Sequence, residues 1–286
     1  DIPIYVAMDS ADTWANPWLF KLDEKNCPTQ VAGCPPDGFS ATGQLWGNPL
    51  YNWEVHRNSG YEWWIKRIAN CFRLYDVVRI DHFRGFDEYY AIPYGDATAE
   101  NGWWEKGPGI DLFRAISASL GDREIIAEDL GYMTDSVKRL VEESGYPNMK
   151  VIEFAFDERD TGNASDYLPH NYPRNCVVYT GTHDNETLLS WLEDITPAER
   201  RQVRKYLNNF KDSGKELCDD LICLVMQSVA NLCIVPMQDY LGLDNSARMN
   251  QPSTLGKNWK WRLKEGQFTA ELQKEMLELA TRYGRR

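Results

Sequence analysis

Short apolar runs rich in Val and Ile recur along the chain, and each ends at or leads to a charged or polar residue. They cover residues 4–7 ending at Asp9, 77–80 ending at Asp81, 125–127 ending at Glu128, 151–156 ending at Asp157, 177–179 leading to Asp184, and 233–235 leading to Gln238 and Asp239. Apolar runs without alternation are the pattern of strands covered on both faces. Amphipathic segments separate several of them. Residues 61–75 place Trp64, Ile65, Ile68, Cys71, Phe72 and Tyr75 on one helical stripe, and residues 112–120 and 136–144 repeat the pattern, the latter stopped by Gly145. Thr196-Pro197-Ala198-Glu199 is a capping box with Pro at the first helical position, predicting a helix to about residue 210. Residues 270–283 predict a terminal helix.

Strands alternating with helices predict a parallel α/β architecture. Polar residues at the C-terminal ends of successive strands narrow it to a (β/α)8 TIM barrel, whose active site collects at that face. Six strands are countable where the barrel needs eight, and the chain opens on Asp1 and an apolar run rather than on Met. The expectation is therefore an incomplete barrel, truncated or processed at its start, with two strands lying before residue 1. Residues 1–286 read as one partial catalytic barrel. A long inserted loop region, 10–59, follows the first strand, and a helical region, 186–232, separates the last two. The insertion carries Gly33, Pro35, Pro36, Gly43, Gly47 and Pro49 with Trp14, Trp18, Trp46 and Trp53. Loops that long within a domain are usually functional.

Composition removes several function classes. The 31 Lys+Arg and 43 Asp+Glu give a net charge of −12, which opposes a nucleic-acid backbone or an anionic membrane as partner. The seven cysteines are odd in number and contain no Cys-x-x-Cys pair, so reduced thiols in a cytoplasm are expected. The longest apolar stretch, 221–237, is broken by Gln227, Ser228 and Asn231, and reads as a buried helix running into a strand rather than a membrane span. Glycosylation sequons at Asn163 and Asn185 are short enough to arise by chance.

Asp81, Glu128 and Asp184 each end or follow a strand. A carboxylate there is costly to desolvate without a partner or a task, and any one alone reads as a helix cap or an Arg partner. Three together, in a chain with 11 Trp, 15 Tyr and 10 Phe, point to carbohydrate chemistry. Cleaving a glycosidic bond takes one carboxylate as nucleophile and one carboxylic acid to protonate the leaving oxygen, and sugar C–H faces stack on Trp and Tyr. His82 and His183 beside two of these carboxylates raise the alternative of a metal site. With four His in all and no metal-ligand spacing, hydrogen bonds to sugar hydroxyls are the better reading. His56 and His170 read as structural, and Trp64 as core.

Three segments carry a family resemblance: Arg79-Ile80-Asp81-His82-Phe83-Arg84-Gly85, Ala127-Glu128-Asp129-Leu130-Gly131 and Thr180-Gly181-Thr182-His183-Asp184-Asn185. They resemble the three catalytic motifs of the 4-α-glucanotransferases (amylomaltases or disproportionating enzymes), glycoside hydrolase family 77 of the α-amylase clan. Gly43-Gln44-Leu45-Trp46-Gly47-Asn48-Pro49, Phe154-Ala155-Phe156-Asp157 and Ala247-Arg248-Met249-Asn250 match as well, and the resemblance runs from Ile2 to about Leu263. It implies Asp81 as catalytic nucleophile, Glu128 as general acid/base and Asp184 as transition-state stabiliser. It also implies substrate contacts from Arg79, His183, Trp46, Asp157, Asn250 and Phe39. Gly38 departs from the family, many members of which carry Tyr there. The implied activity is transfer of α-1,4-glucan segments from a maltodextrin or starch donor to the 4-hydroxyl of glucose or another maltodextrin. Its implied partners are α-1,4-glucans (maltodextrins, starch or glycogen chains), and no cofactor or metal is called for. The alternatives are hydrolysis by the same machinery, with water as acceptor, and a non-catalytic glucan-binding protein.

The residue physics points the same way. Arg79 and Asp81 lie two apart on a strand and so face the same side, where the guanidinium favours the carboxylate that a nucleophile must be. Glu128 must carry a proton in the first step, so burial and nearby carboxylates are expected to raise its pKa. A retaining mechanism predicts about 5 to 5.5 Å between the Asp81 and Glu128 carboxyls, with Asp184 in the same cleft.

Overall fold

The computed structural model describes residues 1–36, 40–131, 133–157, 164–210 and 213–285, and the chain in it falls into two units, Asp1–Asn148 and Met149–Arg286. No described helix is long and apolar enough to cross a membrane.

The first unit contains two sheets. In chain order its strands are β1 Gln30–Cys34, β2 Gln44–Pro49, β3 Val78–Ile80, β4 Glu88–Pro93, β5 Trp103–Lys106 and β6 Ile125–Ala127. β3 and β6 pair in parallel, with Val78 opposite Ile125, Arg79 opposite Ile126 and Ile80 opposite Ala127. Their Val and Ile side chains suit a surface packed from both sides. Val78, Ile80, Ile125 and Ala127 are buried in a core shared with Trp64 and Ile68 of the helix Glu62–Cys71 and with Leu112 and Ile116 of the helix Ile110–Leu120. Burying each large apolar side chain there contributes about 1.5–3 kcal/mol before entropy is charged against it. The helix Asp135–Ser144 starts where the Thr134 hydroxyl accepts from Val137 N, and stops at Gly145, whose φ of 71° is a left-handed cap. These elements fall where the apolar pattern placed them.

Residues 4–7 do not form the expected strand. A single parallel bridge joins Ile2 to Ile80. Beyond it Pro3 has no N–H to donate, and the Ile4 carbonyl accepts from Tyr51 Oη at 2.8 Å and Arg67 Nη1 at 3.1 Å. Side chains take the place of a ladder.

Residues 10–59 differ from the expected loop. They hold the short helices Ala11–Ala15 and Trp53–Asn58 and the strands β1 and β2. The latter join β4 and β5 in a four-stranded antiparallel sheet of order β2-β1-β4-β5. Gly33 sits where the register shifts between Val31 and Gly33, and a Cβ there would lie 2.1 Å from Gln44 O, so only glycine lets the strands approach.

The second unit carries the sheet β7-β8-β9: β7 Asn148–Val151, β8 Cys176–Tyr179 and β9 Leu232–Ile234. β8 and β9 are parallel, Val178 opposite Cys233. The apolar run expected as a strand over 151–156 instead leaves β7 and winds into the 3-10 helix Ile152–Phe156. A short apolar run carries no periodicity that separates strand from helix. Between β8 and β9 lie the helices Leu188–Asp194, Pro197–Leu207 and Gly214–Met226. The middle one opens on the capping box: Thr196 N donates to Glu199 Oε2 at 2.8 Å and Glu199 N to Thr196 Oγ1 at 3.2 Å. The terminal helix Ala270–Arg282 is followed by Arg285, whose guanidinium donates to the carbonyls of Met226, Ser228 and Ala230 at 2.7–2.9 Å.

Candidate active site

In the first unit the chemistry gathers where β3 and β6 end. Arg79 is on β3 and Asp81 one residue past its end. Arg79 Nη1 lies 3.0 Å from Asp81 Oδ1 and 2.7 Å from Asp1 Oδ1. The guanidinium is largely covered, while the Asp81 carboxylate is 44% exposed and so open to a ligand. Glu128, one residue past β6, is in the opposite state, with only 8% of its surface exposed. Its Oε2 accepts from His82 N at 2.6 Å and its Oε1 from Leu130 N at 2.7 Å, so two backbone donors fix the carboxyl. Burial pushes its pKa up; Arg79 and the two N–H groups pull it down and the Asp81 charge pushes it up, leaving it at about 7.

His82 turns its N–H onto Glu128 in a left-handed conformation, φ 52°, which is uncommon for a residue with a Cβ and here is part of the site's construction. Burial and then Arg84 push the His82 ring down to about 3, so it is neutral. Its ring stands nearly perpendicular to that of Trp46, the centroids 4.8 Å apart. Trp46, on β2, is partly exposed, and its Nε1 donates to Gln44 Oε1 at 3.0 Å.

In the second unit the 182–186 loop after β8 and the 247–250 loop after β9 are tied together. Asn250 Nδ2 donates to Asp184 Oδ1 at 2.5 Å, His183 Nε2 lies 3.4 Å from Asp184 Oδ2, and Asn250 N donates to His183 O at 3.0 Å. Arg248 spans both loops: Nη2 donates to Asp184 O at 2.6 Å, Nε to Asn250 O at 2.9 Å, and Nη1 lies 3.7 Å from Glu186 Oε1. Trp259, φ 63°, sets its ring 5.1 Å from that of His183. A cavity of about 120 Å³ is lined by Thr182, His183, Glu186, Gln238, Asp239 and Arg248 among others. Asp239 is itself committed, accepting from Thr180 Oγ1 and from Leu188 N.

The family model for 4-alpha-glucanotransferase, glycoside hydrolase family 77, matches residues 1–269. The chain belongs to this family. The 4-alpha-glucanotransferase of Streptococcus pneumoniae is 51% identical over 286 residues, covering all of this chain and 56% of the relative. The chloroplastic/amyloplastic 4-alpha-glucanotransferase of Solanum tuberosum is 44% identical over 288 residues, covering all of this chain and 49% of the relative. Among solved structures, amylomaltase from Streptococcus agalactiae in complex with acarbose superposes with a TM-score of 0.94 at 41% identity, covering all of this chain and 57% of that one. The chain thus spans about half the length of the curated relatives it matches. The fold class is α/β, an incomplete (β/α)8 barrel with inserted elements.

Within this chain, the structure brings Arg79, Asp81 and Glu128 together in one unit, with Trp46 adjoining through His82. It brings His183, Asp184 and Asn250 together in the other. Asp157 follows the 3-10 helix Ile152–Phe156. Phe39 lies outside the described residues, as do Gly38 and the sequon residue Asn163. The second sequon, Asn185, turns its Oδ1 to Thr182 N and Oγ1. His56 is fully buried against Tyr51, Trp53 and Trp63, and His170 Nδ1 bonds Tyr206 Oη at 2.8 Å. Sequence reasoning gave no role to Arg248, Asn185 or Glu153. Arg248 stood inside a quoted motif, but its three partners are set by tertiary contacts that no local pattern displays.

Proposed function

We propose that the protein carrying this chain transfers α-1,4-glucan segments between maltodextrins by a retaining double displacement, with starch or glycogen chains as further donors. The observation that carries this reading is the contrast between two neighbouring carboxyls. Glu128 is buried, doubly held by backbone N–H groups and poised at about 7, while Asp81 is half-exposed beside the Arg79 guanidinium. A buried carboxyl of raised pKa beside an exposed one paired with a cation supports Glu128 as the acid and Asp81 as the nucleophile.

In this reading an Asp81 oxygen attacks the anomeric carbon. The bond to the leaving 4-oxygen breaks, and Glu128 delivers its proton to that oxygen. The ester on Asp81 then meets an acceptor whose 4-hydroxyl gives its proton to Glu128 as it attacks. Two inversions leave the product in the α configuration. Asp184 accepts hydrogen bonds from sugar hydroxyls that tighten as the ring flattens. Arg79, His183, Trp46, Asp157, Asn250 and Phe39 are assigned to substrate contacts. The acarbose bound by the Streptococcus agalactiae amylomaltase supports a sugar-binding role for the family's site. A cytoplasmic location is proposed with it: none of the seven cysteines is in a disulfide among the described residues, which suits a reducing compartment.

Incubating the natural protein with maltotriose and profiling the sugars tests the reading. Glucose together with longer maltodextrins is expected. New reducing ends without longer chains would make it a hydrolase, and unchanged maltotriose would leave only binding.

A further inference from the structure

Glu153 enters the 3-10 helix that follows β7 and is 5% exposed. Its Oε1 is buried with no hydrogen-bond partner among the described residues, and it packs beside Gly181 and the Asn185 side chain. Gly181 makes the space: a Cβ on it would come within 2.8 Å of that oxygen. Asn185 Oδ1 accepts from Thr182 N at 2.9 Å and Thr182 Oγ1 at 2.7 Å, and Thr182 Oγ1 accepts from Asp184 N at 3.2 Å. Glu153 therefore lies under a turn whose own bonds run from Asn185 through Thr182 to the main chain of Asp184. A buried carboxyl is costly, and an apolar side chain would fill the space behind β7 more cheaply. We propose that Glu153 is a positioning residue for Asp184, holding the 181–185 turn by packing against Gly181 and Asn185. The inference rests on the role given to Asp184 above.

The charged groups facing Glu153 are Asp239 after β9, Glu186 on the loop after β8, and Arg248. Burial first, then Asp239 and Glu186, push the carboxyl well above the usual range, and Asn185 and Arg248 oppose them only in part. Glu153 is therefore held as a neutral acid, since a charge there would face two other carboxylates. The folded protein keeps this proton when the unfolded chain has lost it. Stability linked to Glu153 thus falls as pH rises above the unfolded value of about 4.5. Glu153→Gln copies the shape and acceptor of the neutral acid and removes that slope.

The test compares wild type, Glu153→Gln and Glu153→Ala in the natural protein, by thermal midpoint from pH 5 to 9 and by kcat and KM on maltotriose. The midpoint of Glu153→Gln is expected to rise relative to wild type as pH increases. At pH 7 its kcat stays within about threefold of wild type. Glu153→Ala loses about 10- to 100-fold in kcat with a smaller change in KM, as a misplaced catalytic group would. A midpoint gap that shrinks with rising pH would show an ionised Glu153 paired with Arg248 and overturn the proposal. So would a Glu153→Ala protein that loses stability but keeps its kcat. Asp184→Asn measured alongside separates the failures. Full activity there overturns the role of Asp184 and this proposal with it. An inactive Asp184→Asn beside an active Glu153→Ala overturns this proposal alone.

Discussion

In the proposed double displacement Glu128 acts as an acid in one step and a base in the next, and a pKa of about 7 lets it serve both near neutral pH. The sign of the dependence follows. Glycosylation of Asp81 needs the protonated form, so its rate is full below about pH 7 and falls as pH rises through that value. Arg79 pulls the Glu128 pKa down, so Arg79→Gln moves the limb upward, besides lowering the rate. Single-turnover rates across pH 5–9 check both shifts, and a limb that stays in place would show that Arg79 does not bear on Glu128. A second residue-scale outcome concerns Gly181. A methyl group there meets Glu153 Oε1 at 2.8 Å and Asn185 Cβ at 3.2 Å, so Gly181→Ala displaces the turn that carries Asp184. A loss of about 10- to 100-fold in kcat is expected from steady-state kinetics. Asp81 and Glu128 were legible in the sequence because each directly follows a buried strand run. Glu153 was not, because it lies inside an apolar run and its meaning comes from Gly181 and Asn185, far away along the chain.

Elements were legible wherever a local signal fixed an end or a face. The Thr196–Glu199 capping box, the Gly145 stop and the Trp64 and Ile68 stripe all act within a few residues, and the helices stand where they put them. β3, β6 and β8 were legible from short runs rich in Val and Ile. The antiparallel sheet was not. β1 and β2 are short and sit among Gly and Pro, and β1 finds β4 about sixty residues away, a pairing that no local pattern encodes. Residues 4–7 failed for a different reason: Tyr51 and Arg67 claim the Ile4 carbonyl. Gly33 holds the antiparallel sheet's closest approach. Gly33→Ala forces the β1 and β2 backbones apart, since the added Cβ stands 2.1 Å from Gln44 O and 2.4 Å from Ile92 Cδ1. A loss of at least about 1–3 kcal/mol is expected in denaturant unfolding of the natural protein.

For the molecule as a whole, alternation of strand and helix was enough to give the α/β class. Three strand-end motifs in order were enough to give the family, whose model spans residues 1–269. The donor and acceptor lengths lie beyond any motif, because water exclusion and acceptor affinity are set by surfaces rather than by the three carboxylates. The central claim is that Asp81 takes the glycosyl group and Glu128 supplies the proton. The direct measurement is mass spectrometry of the Glu128→Gln protein after reaction with an α-maltotriosyl fluoride, whose leaving group needs no proton. The account predicts a glycosylated peptide with the sugar on Asp81, and none in Asp81→Asn. A sugar on any other carboxylate, or labelling that persists in Asp81→Asn, would contradict it.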